Sequence, residues 1–390
     1  MDVTYHVDKD ILYIGIEGRI DAANAMAVEE KVFNIKKENE GKHLVIDADR
    51  LEYISSAGLR VILKLRKEDP QLAIINVAPE VYQVFDMTGF TDMITIEKAY
   101  PRFSIEGCEY IAKGSNGAVY RYDDETILKT YFSKDALPEI KQERENARRA
   151  FILGINTAIP YGIVRVGDGY GTVTELLSAK SITKILRANQ EDITEAVKYY
   201  IDMLKHIHSI KVDDNYFPDM KEIALSWADF VAPHLPEEQA VKLRNLILAV
   251  PKLNTMLHGD YHTGNVMIQN GEPLLIDMDT LCTGHPIFEF GSMFNAFVGF
   301  TELNPEDMLD FFGYKFETAG RFWKAALKLY LNTEDEKVCE ELEKKAMIIG
   351  YTRMLRRAIR RPNDPGSPKR IAHCKARLIE LVNEVDDLTF

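Results

Sequence analysis

Apolar and polar positions along this chain keep two periods, and the chain divides where one gives way to the other. Near the start, Asp10–Ile16 predicts a β-strand, Ala22–Glu38 a helix and Lys42–Asp47 a buried strand. Ser55-Ser56-Ala57-Gly58 then opens a helix over Leu59–Lys67, with Ser55 or Ser56 as its N-cap. Leu72–Val77 predicts a further strand and Ala78–Phe85 a short helix, so residues 1–100 read as one α/β unit. After a short join at Lys98–Arg102 the pattern turns to hairpins. Tyr110–Arg121 places Gly114, Ser115, Asn116 and Gly117 between two β-type halves, and Thr126–Tyr131 is a strand with Lys129 among apolar neighbours. Pro138–Leu153 is helical and Gly171–Leu177 a strand. Beyond Ser181 helices dominate: Ser181–His208, Lys221–Leu248 (interrupted by Pro233 and Pro236), Phe311–Leu329 and Glu334–Ile349. One exception is a hairpin of Asn265–Ile268 and Pro273–Ile276, turned through Asn270-Gly271.

Composition narrows the class. At 390 residues the chain is long enough for two or three cores, and 46% hydrophobic with 28% charged residues is an ordinary globular mixture. A net charge of −13 argues against a general nucleic-acid binder. No apolar run approaches the roughly 18 residues of a membrane span, and the first residues lack a signal peptide's basic and apolar regions. Cys108, Cys282, Cys339 and Cys374 are scattered without a C-x-x-C pair, as reduced thiols of a cytoplasmic protein would be.

The densest chemistry lies in His258-Gly259-Asp260-Tyr261-His262-Thr263-Gly264-Asn265 and, after the hairpin, Ile276-Asp277-Met278-Asp279. Phosphoryl transfer from ATP needs a carboxylate to orient an attacking hydroxyl, and oxygen ligands to hold Mg²⁺ on the phosphates. Asp260 suits the first task; Asn265 and Asp277, at the two neighbouring ends of one hairpin, suit the second. Asp279 ranks below Asp277 as a metal contact. His258 and His262 read as structural residues of the loop rather than general bases.

The string H-G-D-x-H-x-x-N resembles that of aminoglycoside phosphotransferases and choline-kinase-like small-molecule kinases. The resemblance implies an α+β bilobal protein-kinase-like fold, with a β-rich N-lobe over 101–178 and a helical C-lobe over 179–390. It implies that the loop Gly114–Gly117 folds over the triphosphate and that Lys129 meets the α- and β-phosphates. Glu143, or else Glu145, would fix the Lys129 side chain, and backbone groups of Glu175 and Leu177 would meet the adenine edge. ATP and Mg²⁺ are the implied cofactors, and a small-molecule hydroxyl is the acceptor.

Further back, Ile46–Arg60, with Ser55-Ser56-Ala57-Gly58 at its centre, resembles the signature of STAS domains, the α/β fold of anti-sigma-factor antagonists. In phosphorylated members the acceptor hydroxyl directly precedes the Gly; here that residue is Ala57, leaving Ser56 as the possible regulatory hydroxyl. A regulatory or partner-binding module is the implied role. The combined expectation is a bacterial phosphotransferase of small molecules such as amino sugars or amino alcohols, with a regulatory serine/threonine protein kinase of a partner-switching pathway as the alternative. Arg353, Arg356, Arg357, Arg360 and Arg361 cluster near the end. A solvated helix face accounts for them; contact with the STAS unit, an acidic partner or a phosphorylated acceptor is the sharper alternative. Glu306, Asp310, Glu334 and Glu336 are acids that a cationic acceptor could use, although nothing in the sequence brings them to the site.

Overall fold

The structure, a computed structural model, describes residues 2–114 and 116–390, so the expectation for Ser115 lies outside the described residues. Two units follow one another: Met1–Ser104 with Val164–Gly167, and Ile105–Ile163 with Asp168–Phe390.

In the first unit, strand β1 (Asp2–Asp8) pairs antiparallel with β2 (Ile11–Ile20). Helix α1 (Ala25–Glu38) precedes β3 (His43–Asp47) and β4 (Leu51–Ile54). Helix α2 (Ser56–Glu68), β5 (Ala73–Val77), α3 (Pro79–Met87) and β6 (Thr95–Lys98) complete the α/β alternation, with a short β7 (Arg102–Phe103) after it. The sheet runs β1-β2-β3-β5-β6, and all its pairings after the first are parallel. Along β2, Leu12, Ile14 and Ile16 are buried while their alternates are only partly so, the period-2 signature of a strand with one covered face. The cap of α2 resolves to Ser55, whose hydroxyl accepts from the Gly58 amide at 3.4 Å, a contact worth about 1 kcal/mol. Ser56 is the first helical residue and is exposed. The strands β1 and β4 had no counterpart in the sequence reading.

The second unit begins with a sheet in the order β11-β12-β10-β9-β8. Its strands are β8 (Glu109–Lys113), β9 (Gly117–Arg121), β10 (Thr126–Tyr131), β11 (Pro160–Val166) and β12 (Gly169–Glu175), with α4 (Leu137–Ile152) inserted after β10. Beyond it come β13 (Lys180–Ser181), α5 (Ile182–Ala188), α6 (Thr194–Ser209), α7 (Met220–Val231) and α8 (Glu237–Ala249). Short strands β14 (Met256–Leu257), β15 (Val266–Gln269), β16 (Glu272–Leu275) and β17 (Cys282–Thr283) frame the motif loops. The chain closes with α9 (Ile287–Phe294), α10 (Asp307–Phe312), α11 (Phe316–Leu331), α12 (Glu336–Arg360) and α13 (Ser367–Glu384).

Two helix expectations are corrected. The run Phe311–Leu329 is two helices, because the chain turns at Gly313 between α10 and α11. The helix expected over Glu334–Ile349 continues to Arg360, so Arg353, Arg356, Arg357 and Arg360 stand on α12 itself and Arg361 caps it. Around these helices Tyr200, Tyr261, Phe290, Phe294, Phe322 and Trp323 form a fully buried aromatic core. The motif loop is anchored into that core: the Tyr261 hydroxyl donates to Tyr200 O at 2.5 Å, and the Tyr200 hydroxyl to Tyr261 O at 3.0 Å. Burial, before any other influence, pushes both phenols well above their ordinary pKa, so they remain donors. Among the described residues no helix is long and apolar enough to cross a membrane.

Candidate active site

Lys129 sits in the middle of β10, paired on one side with Thr172 of β12 and on the other with Val119 of β9. Its ammonium meets Glu143 Oε1 of α4 at 2.7 Å, while the Tyr131 hydroxyl donates to Glu143 Oε2 at 2.8 Å. Both carboxylate oxygens are therefore satisfied and the lysine rotamer is held. Burial alone would lower the Lys129 pKa, but Glu143, Tyr131 and the more distant Asp277 outweigh it and raise the value. Glu145 has other partners: it pairs with Arg148 at 2.7 Å and Arg149 at 2.9 Å.

The loop before β9 is held by its ends. Gly114 donates to Gly117 O at 2.9 Å, and Phe132 donates to Asn116 O at the same length. At Gly117 a Cβ would lie 1.9 Å from Thr130 O, so only glycine permits this approach of the backbones. At the far end of β12, the Glu175 amide donates to Ile159 O at 3.0 Å and the Leu176 amide to Glu125 O at 2.7 Å. Both donors are thus committed within the fold; among the described residues the Leu177 amide has no such backbone partner.

The motif loop runs from β14 to β15 and is tied down at nearly every residue. Glu289 of α9, fully buried, accepts from the His258 amide at 2.6 Å and the Gly259 amide at 3.0 Å. Gly259 has φ +81°, and a Cβ there would meet Thr280 O at 2.3 Å. His258 Nδ1 faces the Asp260 amide at 3.4 Å, which leaves Nε2 to donate to Ile276 O at 3.1 Å. His262 Nδ1 accepts from the Gly264 amide at 3.0 Å, and its Nε2 lies 3.8 Å from Asp260 Oδ2. Burial lowers the His262 pKa, with the Asp260 charge opposing it. Asn265 Nδ2 donates to Asp260 O at 3.0 Å. The pairing of Val266 with Leu275 brings the hairpin ends together, and Ile276 N donates to Asn265 O at 3.0 Å.

Asp277, just beyond that pair, holds φ +64° and ψ +67°. Few residues other than glycine adopt this left-handed conformation, which collects at functional sites. The turn it begins is fixed from α4: Asn146 Nδ2 donates to Met278 O at 3.1 Å and to Asp279 O at 3.4 Å. Asp279 is pushed up to about 6, first by burial, then by Asp277 and Glu143, with Lys129 opposing and Asp260 adding. Three other carboxylates therefore act on Asp279, with only Lys129 opposing them. Such an acidic excess in a partly buried place suits a divalent cation. Among the described residues no three His, Cys, Asp or Glu side chains form a metal cage. A sparse protein donor set is what Mg²⁺ accepts when phosphate oxygens and waters supply the other positions.

Asp260 and His262 also line a cavity of about 260 Å³, together with Ser292, Phe300, Arg353, Arg357 and Arg370 among others. Arg353 donates to Gly259 O at 3.1 Å and Ser292 Oγ at 2.8 Å, and stands 3.5 Å from Asp260 Oδ1. The solvated-face reading of the arginines is thus corrected for Arg353 and Arg357, which wall this cavity because α12 extends past it; Arg356 lies over the Phe230 ring at 5.9 Å. Glu306, Asp310, Glu334 and Glu336 are not among the residues lining it; Glu334 and Glu336 flank Lys328 at 3.3 and 3.8 Å.

Sequence reasoning missed Glu289, Asn146 and Ser292 as parts of this site, and named Arg353 only within a basic cluster for which contact with a phosphorylated acceptor was one alternative. Glu289 did leave a signal, being a lone acid inside the apolar run Ile287–Phe294. The partnership of Arg353 with a loop 93 residues earlier left none.

A family model described as the phosphotransferase enzyme family matches residues 107–321, and a STAS domain model matches residues 2–102. An anti-sigma-B factor antagonist of Listeria monocytogenes is 32% identical over 96 residues, which is 23% of this chain and 82% of that protein. The crystal structure of aminoglycoside phosphotransferase APH(2'')-Ib with ADP bound is 16% identical, with a TM-score of 0.48 over 73% of this chain and 94% of that one. A choline/ethanolamine kinase family protein from Mesorhizobium loti is 13% identical, with a TM-score of 0.47 over 71% of this chain and 92% of its own.

Proposed function

Because the chain belongs to the phosphotransferase enzyme family, with a STAS domain ahead of its kinase-like fold, we propose that it transfers the γ-phosphoryl group of ATP to a hydroxyl of a small molecule. The observation that carries this reading is the convergence of Lys129, Glu143, Asp260, Asn265 and Asp277. Lys129 and Glu143 are paired at 2.7 Å, Asn265 is hydrogen-bonded to the Asp260 carbonyl, and the Asp277 charge reaches both Lys129 and Asp279.

Each residue then has one task. Lys129, held by Glu143, binds the α- and β-phosphates, while the glycine loop around Asn116 and Gly117 lies against the triphosphate. The segment Glu175–Leu177 meets the adenine edge. Asn265 and Asp277 would hold Mg²⁺, which when bound neutralises charge on the β- and γ-phosphates. Asp260 orients the acceptor hydroxyl and receives its proton. Its work is chiefly alignment, because the phosphoryl group passes through a loose transition state. The motif loop keeps Asp260 in place through Glu289, Tyr261 and Arg353, so little reorganisation is needed at the moment of transfer.

The STAS unit is proposed as the docking module for a regulatory protein, in keeping with the name of its Listeria relative. Ser56 is exposed at the first turn of α2, a place that favours a phosphate, although Ala57 stands where phosphorylated members carry the hydroxyl. The setting is proposed to be the cytoplasm. The test is a radiolabelled-ATP assay of the full chain with Mg²⁺ against small hydroxyl compounds and against candidate regulatory proteins. Label on a small molecule supports the reading. Label confined to protein would replace it with the regulatory-kinase alternative.

A further inference from the structure

The cavity that opens on Asp260 has an electrostatic character opposite to that of the phosphate side. Its charged lining among the described residues is Asp260 against Arg353, Arg357 and Arg370, so the wall is net positive. Arg353 is engaged with the motif loop and Ser292. The other two are not matched by acids: among the described residues, neither Arg357 nor Arg370 has a carboxylate within ion-pair distance. Instead both gather at Phe300, where the Arg357 guanidinium lies over the ring at 5.4 Å and Arg370 donates to the carbonyl oxygen at 3.3 Å. They come from different helices, α12 and α13, so the fold assembles this pair. Burial, then Arg361, Arg353 and Arg370, lower the Arg357 pKa, with Asp364 opposing. Unmatched guanidiniums around a cavity are unfavourable until an anion arrives, and their planar forks suit carboxylate or phosphate.

Resting on the phosphotransferase reading above, we infer that the phosphoryl acceptor is a small hydroxylated anion, its carboxylate or phosphate held by Arg357 and Arg370 and its hydroxyl directed at Asp260. Amino sugars and amino alcohols are excluded by the same charges that draw the anion in. Phe300, Phe311 and Phe312 offer apolar surface to the carbon skeleton. In the transfer, the acceptor oxygen bonds to the γ-phosphorus while the bond from that phosphorus to the β,γ-bridging oxygen breaks. The bonding pair leaves with ADP, and the hydroxyl proton passes to Asp260.

The full chain is assayed with Mg²⁺ and γ-labelled ATP against four panels: hydroxy acids, sugar phosphates, neutral polyols, and amino sugars with amino alcohols. Label is expected on an anionic panel only, and the first two panels tell carboxylate from phosphate. Arg357→Gln and Arg370→Gln are each expected to raise the KM of that acceptor at least tenfold. The KM for ATP and kcat should stay within about threefold, with Arg357→Lys recovering part of the loss. Melting with Mg·ADP checks that each variant is folded, and the panels on the unaltered chain decide the matter by themselves if one is not. Transfer to an amino sugar, or to no anion at all, overturns the inference and leaves the phosphotransferase reading standing. An unchanged acceptor KM in both Gln variants does the same. Label confined to protein removes both, so the two failures can be told apart.

Discussion

The two ends of the candidate site differ in what they lack. At the phosphate end Lys129 is matched by Glu143, and Asp277 and Asp279 add negative charge beyond that match. At the acceptor end the arginines exceed the acids, and Asp260 stands between the two. An acidic surplus calls for a cation and a basic surplus for an anion, so each end is incomplete until its own ligand arrives. Binding energy can thus be concentrated on the reacting groups rather than spread over the surface. The comparison also shows how each end is built. At the phosphate end α4 reaches the turn after β16, 132 residues later, through Asn146, and at the acceptor end α12 returns to a loop 93 residues earlier.

The largest effect is expected where the two ends meet. Asp260→Asn should cut turnover by about 10³-fold, in the range of a lost proton acceptor, with ADP affinity within a few fold of the unaltered chain. Steady-state rates and a nucleotide titration measure the two quantities, and unchanged turnover would move the role to another group. Next comes Asp277→Ala. Mg·ADP at a hundred times its Kd should stabilise the unaltered chain by about 2.7 kcal/mol, read as a rise in Tm. In the variant Mg²⁺ should add nothing to ADP alone; a persisting increment would assign the metal to Asp279.

Glu143→Gln tests whether the ends are separable. It should raise the KM for ATP about tenfold to a hundredfold, the worth of a charge-assisted hydrogen bond, and leave acceptor KM alone. Combined with Arg357→Gln the free-energy effects should add to within about 0.5 kcal/mol, as for sites without shared partners. Coupling well above that would mean the two ends act as one. Asn146→Ala is the smallest perturbation. It removes the donor to Met278 O and Asp279 O, and should cost about 1 kcal/mol in urea unfolding with only a few-fold rise in ATP KM.

Local order made much of this legible in advance. The Asn265–Asp277 hairpin, the Lys129 strand and the Ser55 cap are short-range features, set by turn chemistry, side-chain period and capping. Helix ends were read less well where packing overrides the local signal. Glycine splits Phe311–Leu329, and α12 persists through its arginines because Ile348, Ile349, Tyr351, Met354, Leu355 and Ala358 bury its other face.

From its residues alone this protein declared its two folds and the motif that marks its family, because the signals that carry them lie between neighbours along the chain. The character of the acceptor cavity was decided only in three dimensions. Glu289, Arg353, Arg357 and Arg370 acquire their roles from contacts tens to a hundred residues away, and a charged side chain has no fixed meaning until its surroundings either match or fail to match it.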